Sequence, residues 1–282
     1  MSMSATVVRS GIRRGLIEFR NSLTVFSEVG FYLVGFVIFA ATLVLMRDLE
    51  FIGGASVAAI VVPATLAMVL MFVAAYGVAT VVTTDREDGG LLRSKSAPHG
   101  MAGYVIGAVV RGTIETAFAA LVISIIATII LPGLWSEGPL AILQVVGIIA
   151  LGTVALIPIG LAIGSLFRNS RAVGTWGFFA VGALAGVSGL FITMTAMPVA
   201  LQVIGQIFPL YWLALGLRSA ILPDAAAVIE IGESWRTLET LGVLGVWAII
   251  GLVLAPILLR RMARRESGSS VAAGREAAMK RV

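Results

Sequence analysis

Thr83-Thr84-Asp85-Arg86-Glu87-Asp88-Gly89-Gly90-Leu91-Leu92-Arg93-Ser94-Lys95-Ser96-Ala97-Pro98-His99 is the densest polar run in a chain that is otherwise nearly continuous hydrocarbon. Long apolar segments flank it on both sides. A short charged loop tied at each end to a membrane helix suits contact with a soluble partner. The plain alternative is a solvated turn kept charged to hold topology. Mixed acid and base serve topology poorly, and the Leu91-Leu92 pair sits badly in a purely solvated turn. Both features fit a short amphipathic helix docked on another protein.

The composition around that loop leaves one comfortable class. Of 282 residues, 59% are hydrophobic and 12% charged, where a soluble domain carries about 25% charged residues. Mean hydropathy is +1.04. Cysteine is absent and histidine occurs once, at His99, so disulfides, thiol chemistry and zinc sites lack their ligands. Net charge is +5, and its placement points to a membrane rather than to nucleic acid. Met1 to Arg20 is basic and polar, without the apolar core of a cleavable signal.

Working outward, hydropathy gives six spans, at about 30–46, 55–82, 102–131, 140–167, 172–197 and 238–259, where about 20 apolar residues cross the hydrocarbon. Residues 1–265 form one membrane domain, and 266–282 are a small, polar tail. Arg9, Arg13, Arg14 and Arg20 alternate with Ile12, Leu16, Ile17 and Phe19, the spacing of an amphipathic helix lying in the membrane surface. Val199–Leu222 is apolar but holds Gln202, Gln206, Pro209 and Arg218, with Tyr211 and Trp212 in its middle. It reads as a re-entrant or interfacial hairpin. Topology supports that choice, because basic clusters stay cytoplasmic. Six spans put the N-terminus, the Asp85 loop, the Arg168 turn and the Arg260-Arg261-Arg264-Arg265 cluster on one side. The outer loops then hold only Arg47, Arg218 and Arg236 among basic residues. Both termini are expected in the cytoplasm, and the protein in the plasma membrane. The fold class is an all-α integral membrane protein.

Absences narrow the function. The chain has no Gly-x-x-x-x-Gly-Lys-Ser/Thr loop, no Gly-x-Ser-x-Gly elbow and no Gly-x-Gly-x-x-Gly fingerprint. No catalytic constellation stands out, so no catalytic or metal-binding residue is assigned. Arg111 and Glu115 are the strong intramembrane charges, with Glu28 near the start of the first span. Four residues apart, they share one helix face. They line a polar path or act as a latch, or they form a structural ion pair, or Arg111 snorkels to the interface. Gly160 with Gly164, and Gly182 with Gly186, are read as helix-packing pairs.

The order of these features resembles the membrane subunit of an ABC transporter of the type-2 exporter family. The family segment after the second span resembles Glu-Arg-Glu-x-Gly-Thr-Leu-Glu-x-Leu-x-x-x-Pro. Here it is Asp85-Arg86-Glu87-Asp88-Gly89-Gly90-Leu91-Leu92-Arg93, then Ala97-Pro98, with Asp85, Gly90 and Leu92 departing from the usual residues. Leu166-Phe167-Arg168 closes the fourth span. Phe208-Pro209-Leu210-Tyr211-Trp212, followed by Arg218, is similar to the family's Asn-Pro-x-x-Tyr stretch before an Arg. Arg111 stands where the family often has an Arg early in the third span. The resemblance implies that Asp85, Arg86, Glu87, Asp88, Gly89, Leu91, Leu92, Arg93 and Pro98 belong to a coupling helix that contacts an ATPase subunit. It implies that the helix bearing Arg13, Arg14, Leu16, Ile17, Phe19 and Arg20 is an interfacial connecting helix. Phe208, Pro209, Tyr211, Trp212 and Arg218 would belong to an outer gate hairpin. It further implies two P-loop ATPase subunits that hold ATP and Mg, a second permease taken as an identical copy, and alternating access. Few polar side chains line the spans, which favours an amphipathic drug, antibiotic or lipid as cargo over an ion. Export of a polysaccharide is the alternative within the family. Outside it, the alternative is an ion-coupled transporter or channel without an ATPase.

Overall fold

The computed structural model describes residues 5–50, 56–97, 99–135, 138–167 and 170–265. Pro98, the Arg168-Asn169 turn, the 266–282 tail and the side chain of Glu28 lie outside the described set. Helices α1 (Ala5–Ser22) and α2 (Phe26–Met46) come first. Helices α3 (Val57–Leu70) and α4 (Val78–Glu87) are joined without a break by a π-helical segment, Met71–Gly77. The short α5 (Gly90–Ser96) precedes the long α6 (Gly100–Ile130) and α7 (Pro139–Leu166). Next come α8 (Ser170–Ala172), a second π-helical segment at Val173–Gly177, and α9 (Phe178–Val187). Helices α10 (Val199–Ile207), α11 (Pro209–Ile221) and α12 (Thr237–Arg265) complete the chain.

Among the described residues five helices are long and apolar enough to cross a membrane, and six if the α10–α11 pair counts as one. The protein is an all-α, multi-pass membrane protein. Its burial pattern follows from hydrocarbon as solvent. Large apolar side chains such as Phe31, Leu45, Ile129 and Ile249 face outward, while small residues let helices close on one another. A Cβ on Gly160 would lie 2.4 Å from the Ala75 carbonyl, and one on Gly164 2.7 Å from Val82. That glycine pair therefore packs α7 on the second span. The Gly182 and Gly186 pair differs, since nothing lies within 4 Å of either Cβ position.

Three boundaries depart from the hydropathy reading. The second span does not stop at Val82 but continues to Glu87, because the charges at its end find partners on neighbouring helices. The fifth, expected over 172–197, is helical only to Val187. Gly189 takes φ +70 there, and a single 3-10 turn, Met194–Ala196, follows. The last span runs on through its arginine cluster to Arg265. The expected re-entrant segment is a bent pair, with an elbow of 90° between α10 and α11. Proline has no N–H and restricts the residue before it to extended backbone. Phe208 accordingly sits at φ −93, ψ 150, and Pro209 opens α11.

Beyond the elbow, α11 enters the bundle. All of its side chains except Ser219 are buried. Leu213 lies against Gly152, midway along α7, and Gly216 against Ile148. One turn further on, Gln144 Nε2 donates to Ser219 Oγ at 3.0 Å. Helix α11 thus runs antiparallel to α7, toward the end of the bundle opposite Asp85.

The N-terminal helix is amphipathic as expected, but it does not lie apart on a surface. It packs lengthwise on the first turns of α6 through glycines on both helices. A Cβ on Gly15 would meet the Gly107 carbonyl at 2.6 Å, and one on Gly11 would meet Ile106 at 2.7 Å. This close approach leaves Arg9, Ile12, Arg13, Leu16, Ile17 and Arg20 exposed.

Candidate functional site

Three consecutive charges end the second span, and each is drawn to a different helix. Asp85 is half-buried and faces α1, with Arg14 Nη2 3.4 Å from its Oδ2. The same guanidinium donates to Ser94 Oγ on α5 at 3.2 Å and to Glu18 Oε1 on its own helix at 2.5 Å. Its carbon lies 4.6 Å from the ring centre of the buried Tyr104 on α6. Arg14 therefore joins four elements at one point, with a cation–π contact beneath it.

Arg86 turns the other way. It is 8% exposed. Its Nη1 donates to the Phe167 carbonyl at 2.9 Å and lies 3.5 Å from that of Ser165. These carbonyls belong to the last turn of α7, where intrahelical partners run out and the helix dipole is negative. Glu87 serves the complementary end, accepting from the Ser170 backbone N–H at 3.1 Å and from the Ser170 hydroxyl. A carboxylate there caps the positive start of α8. Adjacent residues of opposite charge thus clamp both sides of the turn between the fourth and fifth spans.

The chain then reverses. Gly89 takes φ +73, a left-handed conformation that costs glycine little, and α5 folds back. Leu91 is buried beneath α5. Leu92 is half-buried, and Asp88, Arg93, Lys95 and Ser96 face outward. His99, at φ +56, starts α6 in a left-handed conformation unusual for a side chain of its size.

The residues singled out for ATPase contact therefore divide. Asp85, Arg86, Gly89 and Leu91 are spent within the chain, while Asp88, Arg93 and part of Leu92 present an outer face. On α1, Arg13, Leu16, Ile17 and Arg20 are exposed. Phe19 packs edge-on against Phe118, ring centres 6.0 Å apart. Arg111 and Glu115 pair along α6 at 2.7 Å, with side chains 17% and 13% exposed. They lie on the stripe of α6 that carries Tyr104.

One cluster escaped the sequence reading, and of a second it named the side chains around the elbow and on α11 but not their partners. The first brings the two π-helical segments together. Tyr76 Oη donates to the Gly174 carbonyl at 3.2 Å, and Phe72 meets Phe178 with ring centres 5.8 Å apart. Trp176, Phe178 and Phe179 beside them are exposed. π-Helical turns recur at functional sites, but an apolar run gives no sign of where one will form. The second cluster surrounds α11. Phe208 stacks on Trp247, whose Nε1 donates to the Ile207 carbonyl at 3.0 Å. Arg218 pairs with Glu230 at 3.1 Å. Arg236 donates to Tyr211 Oη and to Gln206 Oε1, the latter at 2.9 Å.

A family model described as ABC-2 family transporter protein matches residues 53–257. The chain belongs to the ABC-2 transporter family. No curated protein matches it. Membership makes the chain the membrane component of an ABC transporter, a permease rather than an enzyme, and implies an ATPase partner in general. The matched stretch contains the Asp85-Arg86-Glu87 clamp, α5 and the buried α11.

Proposed function

We propose that this permease is the transmembrane subunit of an ATP-driven exporter, carrying an amphipathic small molecule such as a drug, antibiotic or lipid out across the plasma membrane. Two copies pair, each with its own ATPase subunit, and ATP and Mg bind on those partners. Both termini, α5 and the clamp face the cytoplasm. The ATPase presses on Asp88, Leu92 and Arg93 of the exposed face of the loop and on the exposed side of α1.

The observation that carries this reading is the division of labour after the second span. A push on α5 reaches α1 through Arg14, and α4 passes it to α7 through Arg86 and to α8 through Glu87. One short helix is thereby tied to helices that must rotate together in alternating access. Any such coupling needs a two-state element that the ATPase cycle biases.

The test is co-purification with the cognate ATPase in nanodiscs, followed by ATP turnover and efflux of amphipathic dyes. Arg93→Ala and Gly89→Pro are expected to weaken association and lower turnover. Turnover and association indifferent to both changes would remove the reading and redirect attention to Arg111 and Glu115.

A further inference from the structure

The polar cluster around α11 has no role in the coupling scheme, yet it contains the most deeply buried charges described in the protein. Arg218 and Glu230 are 4% and 1% exposed at the side chain, with Nη1 3.1 Å from Oε1. Arg218 Nη1 also donates to the Gly189 carbonyl at 3.1 Å, at the break that ends the fifth span. Tyr211 Oη donates to the other Glu230 oxygen at 3.4 Å. Arg236 brackets the same helix, its guanidinium 4.8 Å from the Trp212 ring centre and 5.5 Å from that of Tyr211. Three segments therefore converge on α11: the Gly189 turn, the loop carrying Glu230 and the start of α12.

The cluster is not fully satisfied. Glu230 pairs with Arg218, while Arg236 bonds to Tyr211 and Gln206 instead. Arg218 Nε and Nη2 and Arg236 Nε are buried without a hydrogen bond, as are the hydroxyls of Ser188 and Thr240. Burying an ion pair costs several kcal/mol per ion, roughly, and the attraction offsets this only when the remaining donors and acceptors are bonded. Unfilled groups of this kind call for an explanation such as a strain reservoir or a site that hydrates. Here they line a helix that plugs the bundle from the end opposite the coupling loop. Glu230 comes from a loop of 3-10 turns, Asp224–Ile229 and Ile231–Glu233, rather than from a span. Such a loop can lift without unfolding a membrane helix.

We propose that Arg218 and Glu230 are the latch of the outer gate: the Glu230 loop holds α11 in place as a plug, and parting this pair frees the plug. The inference rests on the transport reading for its purpose, though not for its physics. Parting the pair exposes one positive and one negative charge to water, which recovers the solvation lost on closure. The closed state is therefore held by a small margin, as a two-state element must be if a distant push is to move it.

The chain contains no cysteine, so spin labels can be placed directly. Val228→Cys in the Glu230 loop and Leu140→Cys at the start of α7 are both exposed positions. Pulsed electron spin resonance on this double-labelled permease in nanodiscs, without ATPase, reads the gate alone. The unsubstituted latch should give one dominant distance. Glu230→Gln should add a second, longer distance and shift the open-to-closed ratio roughly tenfold. Arg218→Lys keeps the charge and should shift it less. If Glu230→Gln fails to fold, Tyr211→Phe removes only a hydroxyl from the same carboxylate and should shift the ratio in the same direction. A distance distribution unchanged in every folded variant would overturn the latch. Adding the ATPase with ATP is a separate arm. A latch that opens on substitution but ignores ATP leaves this proposal standing and counts against the transport reading. A latch that stays closed in the variants while ATP drives efflux counts against the latch alone.

Discussion

Arg86 offers the sharpest separation between a clamp and a contact surface. Arg86→Met keeps the length and apolar stem of the side chain and removes the donors. Arg86 as a whole is 8% exposed, so solvent screens it little. Its 2.9 Å bond to the Phe167 carbonyl is a charged hydrogen bond, a class that contributes about 1.5–3 kcal/mol. The 3.5 Å approach to the Ser165 carbonyl is too long to add much. A loss of about 2 kcal/mol follows. In a chain of this size 1 kcal/mol moves the unfolding midpoint by about 2–4 °C, so the midpoint should fall by about 4–8 °C. The assay is thermal unfolding of the purified permease in nanodiscs, beside pull-down of the ATPase. Arg86→Met should lower the midpoint and ATP-coupled efflux while the ATPase still binds. Arg93→Ala should do the reverse, since its side chain is exposed and its loss should weaken binding with the midpoint unchanged. An Arg86→Met protein that keeps its midpoint but sheds the ATPase would refute the clamp and make Arg86 a contact residue.

Three further outcomes follow from packing. Gly15→Ala puts a Cβ 2.6 Å from the Gly107 carbonyl, an overlap with backbone that should cost about 1–3 kcal/mol and appear as a lower unfolding midpoint. Gly182→Ala adds a methyl where nothing lies within 4 Å. The midpoint of the isolated subunit should therefore move by less than the equivalent of about 0.5 kcal/mol; a large drop would mean that this face is covered. Tyr76→Phe removes the 3.2 Å bond to the Gly174 carbonyl between the two π-helical segments. It should cost about 0.5–1.5 kcal/mol, and amide exchange should quicken locally around Val173–Gly177.

What the sequence made legible was whatever depends on long runs. Hydropathy places α2, α6 and α7 within a few residues, because burying about 20 residues in hydrocarbon tolerates no substitute. Features set by a single distant partner were hidden. Asp85, Arg86 and Glu87 read as a face turned toward a soluble partner until the carbonyls of Ser165 and Phe167, the amide of Ser170 and the side chain of Arg14 arrive from other helices. Arg218 looked like an outer-loop cation for the same reason, since Glu230 lies in a loop that charge counting used only for topology. The end of the fifth span was masked by Leu190-Phe191-Ile192, which is apolar enough to continue a helix that Gly189 has already ended.

The two hidden sets have a common logic. At one end of the bundle, Arg86 and Glu87 complete helix ends that would otherwise be unsatisfied, so every charge lowers the energy of the assembled state. At the other end, Arg218 is paired with one carboxylate from a loop and its Nε and Nη2 make no hydrogen bond, so the pair gives less stability for the same burial. A machine driven from one end needs that asymmetry. The end that receives force must transmit it as a rigid body, and the end that releases cargo must yield first. The bonded clamp beneath α5 and the under-bonded cluster around α11 meet those two requirements. Strengthening the second should therefore impair the protein as surely as weakening the first. A cysteine pair at Gly216 and Thr240, where a Gly216 Cβ would lie 3.0 Å from the Thr240 methyl, would bind α11 to α12. Oxidation should stop efflux while the ATPase stays bound, and reduction should restore it. Efflux that continues through an oxidised pair would mean that α11 is not a moving part.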